Sequence, residues 1–184
     1  MTGTDPVAVA ASRTNAIARS LLEEFEREVA TTQRFLERLP DEGLGWKPHD
    51  KSMTAGELAL HIAGVPGTVL RMTMADEANL PDFSAPRPTP ASLGEVLEVF
   101  KGSADYVSKT LPSVDDARMR DTFKIVQNGR TLSAMPRAEF LRAIMLNHWY
   151  QHRGQLGVYL RLLGAAVPSS YGPSADEMPR FAGN

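Results

Sequence analysis

Four separate segments of this 184-residue chain repeat apolar residues at the spacing of an α-helix. In the first segment, Ile17, Leu21, Phe25, Val29 and Leu36 follow one another at intervals of four or seven, with charged residues between them. That period puts the apolar side chains on one helical face and the charges on the other. Each helix must bury its apolar face against another element, so the pattern predicts helices packed on helices.

The ends of these segments carry recognisable start and stop signals. Thr54 with Glu57, and Ser92 with Glu95, have the spacing of a capping box, which satisfies free backbone N–H groups at a helix start. Pro66 falls inside the second segment and predicts a kink, because proline lacks the backbone donor and crowds the preceding turn. The predicted helices cover residues 12–38, 54–76, 92–111 and 136–163, and residues 164–184 form a tail over the bundle.

The stretch TFKIVQNGRTLS, before the fourth helix, departs from the helical pattern. Its Asn128-Gly129 pair suits a type I′ turn, which predicts a short hairpin. One small hairpin does not change the class of the fold. We therefore predict an all-α protein, with residues 1–184 forming a single four-helix-bundle domain.

Composition removes several classes of function. Positive and negative charges nearly cancel at net −2 and form no basic run, so nucleic acid is not the predicted partner. No apolar run is long enough to cross a bilayer, and no signal peptide is evident, so we expect a cytoplasmic protein without membrane contact. The chain contains no cysteine, which leaves histidine and carboxylate as its metal ligands and gives it no thiol nucleophile.

Three of the four histidines fall on predicted apolar helix faces. His148 and His152 are four residues apart on the fourth helix, so their rings are neighbours, and we expect both to point into the core. His61 occupies an apolar face of the second helix. If the two helices are neighbours, three imidazoles can converge on one divalent ion, although a core histidine can equally be a packing residue satisfied by a hydrogen bond. His49 is predicted to lie on the surface.

Two side chains near these histidines have two interpretations each. Glu57 lies one turn before His61 and either caps the second helix, the better-supported role, or orients the His61 ring. Gln155 either holds a ligand imidazole or a bound water, or ties down the tail. Arg153, one step off the apolar face, is predicted to form a structural link to a carboxylate. The chain has no H-E-x-x-H motif, so a protease-like general base is not supported.

The stretches MTAGELALHIAG, LNHWYQHRGQLGVYLRLLG and VPSSYGPSADE together resemble the DinB/YfiT-like superfamily of metal-binding four-helix bundles. The resemblance covers most of the chain. It implies an up-down bundle with one long crossover, a three-histidine site for zinc or nickel, and a homodimer. The most specific part of the match falls on His61, His148, His152, Arg153, Gly154 and Gln155.

Two hypotheses for function follow. The resemblance implies a metal-dependent enzyme of the thiol S-transferase type, acting on a low-molecular-weight thiol, or of the hydrolase type. Transfer fits better than hydrolysis, because a cysteine-free protein must receive its sulfur with the substrate and no general base is evident. The alternative is a non-catalytic, stress-related bundle or dimer in which the metal stabilises the core by linking its helices. A fourth protein ligand closing the metal site would favour this second hypothesis.

Overall fold

A computed structural model describes residues 14–178, and long helices make up most of it. Each predicted helix has a counterpart whose ends lie within a few residues of the predicted ones, and the first residues of the first prediction and the end of the predicted tail lie outside the described range. A π-helical segment, Leu141–Asn147, joins the last two helices without a break, and we call residues 137–162 the last helix. In chain order the helices are α1 (Ala16–Leu36), α2 (Ala55–Thr73), α3 (Leu93–Thr110), α4 (Asp116–Arg120), α5 (Arg137–Phe140) and α6 (His148–Leu162).

Helices α2 and α3 run side by side in the same direction. Pro90, just before α3, packs against Gly56 near the start of α2, and Ser103 packs against Gly67 further along. The Gly67 N–H donates to the Ser103 Oγ at 2.8 Å, and a Cβ on Gly67 would lie 3.1 Å from the Ser103 Cα. Only glycine permits this approach. A parallel pair needs a connection that returns along the bundle, and residues 74–92 provide it.

A three-stranded sheet lies at the end of the bundle where α2 finishes. The strands are β1 (Glu77–Asn79), β2 (Thr122–Gln127) and β3 (Arg130–Pro136), in the order β1-β2-β3. β2 and β3 form the predicted hairpin, with Asn128 and Gly129 both at positive φ in the turn. β1, from the crossover, pairs with β2 in parallel. The all-α prediction is therefore only partly right, because a three-residue strand has no periodicity that sequence analysis can detect.

Trp149 occupies the centre of the hydrophobic core. Its side chain is fully buried, and its ring stacks on Phe25 of α1 at 5.3 Å and lies 6.4 Å from Phe100 of α3, measured between ring centroids. Its indole Nε1 donates to the Ile62 carbonyl of α2 at 2.9 Å. One side chain of the last helix thus contacts the other three long helices.

The buried face of the last helix departs from the predicted one at His148. Met145, His152 and Leu156 are buried as predicted, and Trp149 and Arg153 are buried as well, whereas His148 is only half-buried. The π-helical segment explains the change, since the His148 N–H bonds five residues back to the Ala143 carbonyl and one additional residue enters the turn. This shifts the core-facing position from 148 to 149 and moves the His148 ring toward the edge of the core.

The crossover and the tail complete the described chain. Residues 164–178 lie over α1 and the last helix, where Glu177 pairs with Arg34 and Asp176 pairs with Arg161. Across residues 14–178, every helix is too short or too polar to serve as a transmembrane span.

Candidate metal centre

His61, His148 and His152 converge where α2 and the last helix pack together. Each offers one ring nitrogen, and these three atoms all lie within 4.8 Å of one another. The ring centroids are 5.3 Å apart for His61 and His148, 4.7 Å for His61 and His152, and 4.4 Å for His148 and His152. The structure therefore brings together the three histidines that the sequence analysis selected, from segments that are far apart in the chain.

Hydrogen bonding sets the protonation of the His152 ring. Its Nδ1 lies 2.8 Å from the Gln155 Oε1, an acceptor, so Nδ1 carries the hydrogen and Nε2 keeps its lone pair. That Nε2 lies 2.8 Å from the Nε2 of His148. Of the two roles considered for Gln155, the structure shows contact with the imidazole of His152.

The hydrogen bonding of the two His148 ring nitrogens shows whether this site suits a cation. When its Nε2–H donates to His152, its Nδ1 is unprotonated, and that buried atom has no hydrogen-bond partner. A cation at the two Nε2 atoms would replace the shared proton and let His148 carry hydrogen at Nδ1, near the Ile144 carbonyl. Two ligand nitrogens on a tetrahedral zinc ion are about 3.4 Å apart, so the rings need to separate by only about half an ångström. The donor set fits a metal ion.

Burial keeps all three imidazoles neutral at pH 7. Burial, reinforced by His152, His148 and the positive charge of Arg87, lowers the pKa of His61 to about 4. Burial also lowers the pKa of His148, more than the Ile144 carbonyl raises it, and the pKa of His152, against the opposing effect of Gln155. Neutral imidazoles are the form that binds metals, so the pocket does not need to release protons before it can bind an ion.

The site opens toward the surface on one side. His152 is 9% exposed, whereas His61 and His148 are half-buried, so the expectation that both rings of the pair point fully inward is wrong for His148. Within the described part of the chain, no fourth histidine, cysteine or carboxylate joins the cluster. A cation held by these three nitrogens would keep a coordination position for a ligand from outside the protein.

The structure also shows the positions of Glu57 and His49, two further residues of the sequence analysis. Glu57 completes the capping box, accepting the Thr54 N–H at 2.8 Å and donating its own N–H to the Thr54 Oγ1 at 3.1 Å. Its contact with the His61 ring stays a prediction. His49 is exposed in a loop, as expected.

Arg153 makes the predicted link to a carboxylate. Its Nη1 lies 2.5 Å from the Glu28 Oε2 and 3.1 Å from the Thr32 Oγ1, and its Nη2 donates to the Tyr171 hydroxyl at 2.9 Å. The Arg153 side chain is 3% exposed, and its contacts link α1 and the tail to the last helix directly beside His152.

Sequence analysis missed the central position of Trp149. A signal was present, because Pro66 leaves one carbonyl of α2 without its helical donor. The sequence did not indicate which side chain supplies the missing N–H.

Comparisons with known proteins agree with this fold. The DinB family model matches residues 12–180. The chain is 26% identical over 162 residues to YrdA of Bacillus subtilis (strain 168), covering 87% of this chain and 91% of that protein. The crystal structure of a DinB-like protein from Bacillus cereus ATCC 10987 is similar with a TM-score of 0.65 and 26% identity, over 83% of this chain and 97% of that one. The DinB-like protein YjoA of Bacillus subtilis shares the fold, with a TM-score of 0.62 and 19% identity, over 86% of this chain and 99% of that one.

Proposed function

This chain belongs to the DinB family, and we propose that it is an enzyme working with one divalent metal ion held by His61, His148 and His152. The observation that carries this proposal is the convergence of three neutral imidazole nitrogens within 4.8 Å, at a place where His61 and His148 are only half-buried. Structural zinc sites are usually closed by four protein ligands, whereas catalytic sites have three and an open position.

The ligand set narrows the choice of metal. Three imidazoles without a carboxylate suit zinc or nickel and are a poor site for magnesium or calcium, which prefer oxygen ligands. We therefore propose zinc or nickel as the bound ion. Because the rings belong to two helices that already pack together, little rearrangement is needed to bind it.

The reaction we propose is the transfer of a low-molecular-weight thiol to an electrophile. A bound divalent ion supplies Lewis acidity, which lowers the pKa of a coordinated group. The chain has no cysteine, so the sulfur must arrive with the substrate. Hydrolysis is less well supported, since the cluster includes no carboxylate to take a proton from water.

A second candidate function is a metal-stapled bundle without catalysis. The observation favouring it is that the ligands join α2 to the last helix, so a bound ion would link two helices of the core. Anything that binds only the folded state stabilises that state. A homodimer is compatible with both candidates and stays a prediction, to be measured by light scattering after size-exclusion chromatography.

The test compares the untagged wild type with His148→Ala and with His49→Ala, a matched control in which the replaced histidine is exposed and outside the cluster. We expect about one zinc or nickel ion per chain in wild type and His49→Ala, and much less in His148→Ala. Protein loaded with metal is then incubated with bacillithiol or mycothiol and monochlorobimane. Turnover that exceeds the His148→Ala control supports the enzyme.

The other outcomes separate the candidates. Stoichiometric metal without turnover, together with a melting temperature that falls on chelation only in wild type and His49→Ala, favours the staple. Absence of bound metal in the wild type, and no metal uptake on titration with zinc or nickel, contradicts both candidates.

A further inference from the structure

Pro66 creates an unusual requirement inside α2. In an α-helix the N–H of residue 66 would donate to the carbonyl of residue 62, but proline has no N–H. The Ile62 carbonyl is therefore left without its helical donor in a part of the helix that is buried. A buried carbonyl without a partner destabilises the folded state, so another donor is needed.

Trp149 supplies that donor from the last helix. Its Nε1 lies 2.9 Å from the Ile62 oxygen, and the indole ring is fully buried between Phe25 and Phe100. Its neighbours hold the ring on two sides, so the N–H has a fixed direction. An aromatic ring without an N–H could fill the same space but could not satisfy the carbonyl.

This hydrogen bond lies one residue from the metal ligands on both helices. Ile62 follows His61, and Trp149 follows His148, although Ile62 and Trp149 are 87 positions apart in the chain. The bond therefore fixes the distance and rotation of α2 relative to the last helix at the level of the rings. The capping of α2 by Glu57 sets only the start of that helix.

We propose that Trp149 is a positioning residue, whose hydrogen bond to the carbonyl left free by Pro66 sets His61 at binding distance from His148 and His152. The inference rests on the proposed metal site but concerns its geometry. Pro66 prevents the carbonyl from being satisfied within α2, so the pair links the two helices more specifically than apolar packing does.

The test uses a rescue that follows from the chemistry of proline. Trp149→Phe keeps an aromatic ring but removes the donor, and Pro66→Ala provides a backbone N–H for the Ile62 carbonyl from within α2. Zinc affinity is measured by competition with a chromophoric chelator, and site geometry by the visible absorption spectrum of the cobalt-loaded protein. Trp46→Phe is the matched control, since it removes the chain's other indole, which is half-buried in an edge contact with Tyr159.

We expect Trp149→Phe to bind zinc about tenfold more weakly, the lower end of the loss seen when outer partners of metal ligands are removed. The cobalt spectrum should change with it. Trp46→Phe should bind like wild type, and adding Pro66→Ala to Trp149→Phe should recover most of the lost affinity. A merely structural tryptophan would lower the melting temperature of Trp149→Phe while leaving the zinc affinity and cobalt spectrum of the folded protein unchanged, and that result would overturn the proposal.

A double variant that binds no better than Trp149→Phe would also overturn it. If Trp149→Phe does not fold, the indole proton is followed by ¹⁵N NMR in Trp46→Phe, where Trp149 is the single tryptophan. Adding Pro66→Ala gives the carbonyl a second donor and should shift that indole signal, whereas an unmoved signal refutes the inference. Failure of the wild type to bind any metal is a separate result, which counts against the metal site and leaves the NMR test of the hydrogen bond intact.

Discussion

Replacing Glu28 with alanine should destabilise the protein strongly, although Glu28 lies outside the histidine cluster. Glu28 on α1 is the carboxylate that pairs with Arg153, at 2.5 Å between Oε2 and Nη1. The side chains are 15% and 3% exposed, so the pair is nearly excluded from water. Glu28→Ala leaves the Arg153 guanidinium as a buried cation without its counter-charge.

The magnitude follows from what remains around Arg153. Removing one partner of a buried ion pair costs about 3–5 kcal/mol. Arg153 would keep its hydrogen bonds to Thr32 and Tyr171, and the Tyr171 and Tyr150 rings lie 5.3 and 5.4 Å from the guanidinium carbon. These contacts place the expected loss at the lower end, about 3 kcal/mol in the free energy of unfolding. For a chain of this size that corresponds to a decrease of about 6–12 °C in melting temperature.

Equilibrium unfolding in urea, monitored by far-ultraviolet circular dichroism, measures the loss. Glu26→Ala is the matched control, because Glu26 lies on the same helix but is exposed, and it should stay within about 0.5 kcal/mol of wild type. Replacing both Glu28 with alanine and Arg153 with methionine should recover most of the stability, since no unpaired charge is left. Equal stability of Glu28→Ala and Glu26→Ala would show that the ion pair contributes nothing and refute the reasoning.

Two further perturbations have expected results. Gly67→Ala should destabilise the protein by about 1–2 kcal/mol in urea unfolding, because the new Cβ would lie 3.1 Å from the Ser103 Cα. Gly64→Ala is the control: its Cβ would come no closer than 3.8 Å to Val99, so this variant should be neutral or more stable by up to about 1 kcal/mol. Equal effects of the two substitutions would contradict the close packing of α2 on α3. In the presence of chelator the protein should lose stability as the pH falls from 7 to 5, because His61 of the unfolded chain takes up a proton near its ordinary pKa of 6.5 while in the folded protein its pKa is about 4. The midpoint of urea unfolding should fall less in His61→Asn, and a wild-type midpoint that is the same at both pH values would contradict a buried neutral His61.

The parts of this fold that were predictable from sequence depend on local signals. Most helix faces, the Thr54–Glu57 capping box and the Asn128-Gly129 turn depend on residues a few positions apart, and each has its counterpart in the structure. The predicted Ser92–Glu95 box forms only in part, because Glu95 donates its N–H to the Ser92 Oγ but its carboxylate accepts from the Ala91 N–H. The selection of His61, His148 and His152 also used local spacing, together with a family resemblance. Their convergence required α2 and the last helix to be neighbours, which local spacing does not determine.

What sequence analysis missed depends on the way distant segments meet. β1 has no pattern of its own and exists because the crossover passes beside β2. The inward orientation predicted for His148 was wrong, because a π-helical segment adds a residue that helical periodicity does not predict. The partner of Trp149 on α2 was missed because it is 87 positions away in the chain.

The long crossover separates His61 from His148 and His152 along the chain. Residues 81–89 are all exposed, contain several prolines and lie outside every described helix and strand. A protease that nicks the chain there would yield one fragment carrying His61 and another carrying the histidine pair, with all the long helices intact. Zinc uptake by the nicked protein would then report whether the two fragments remain assembled.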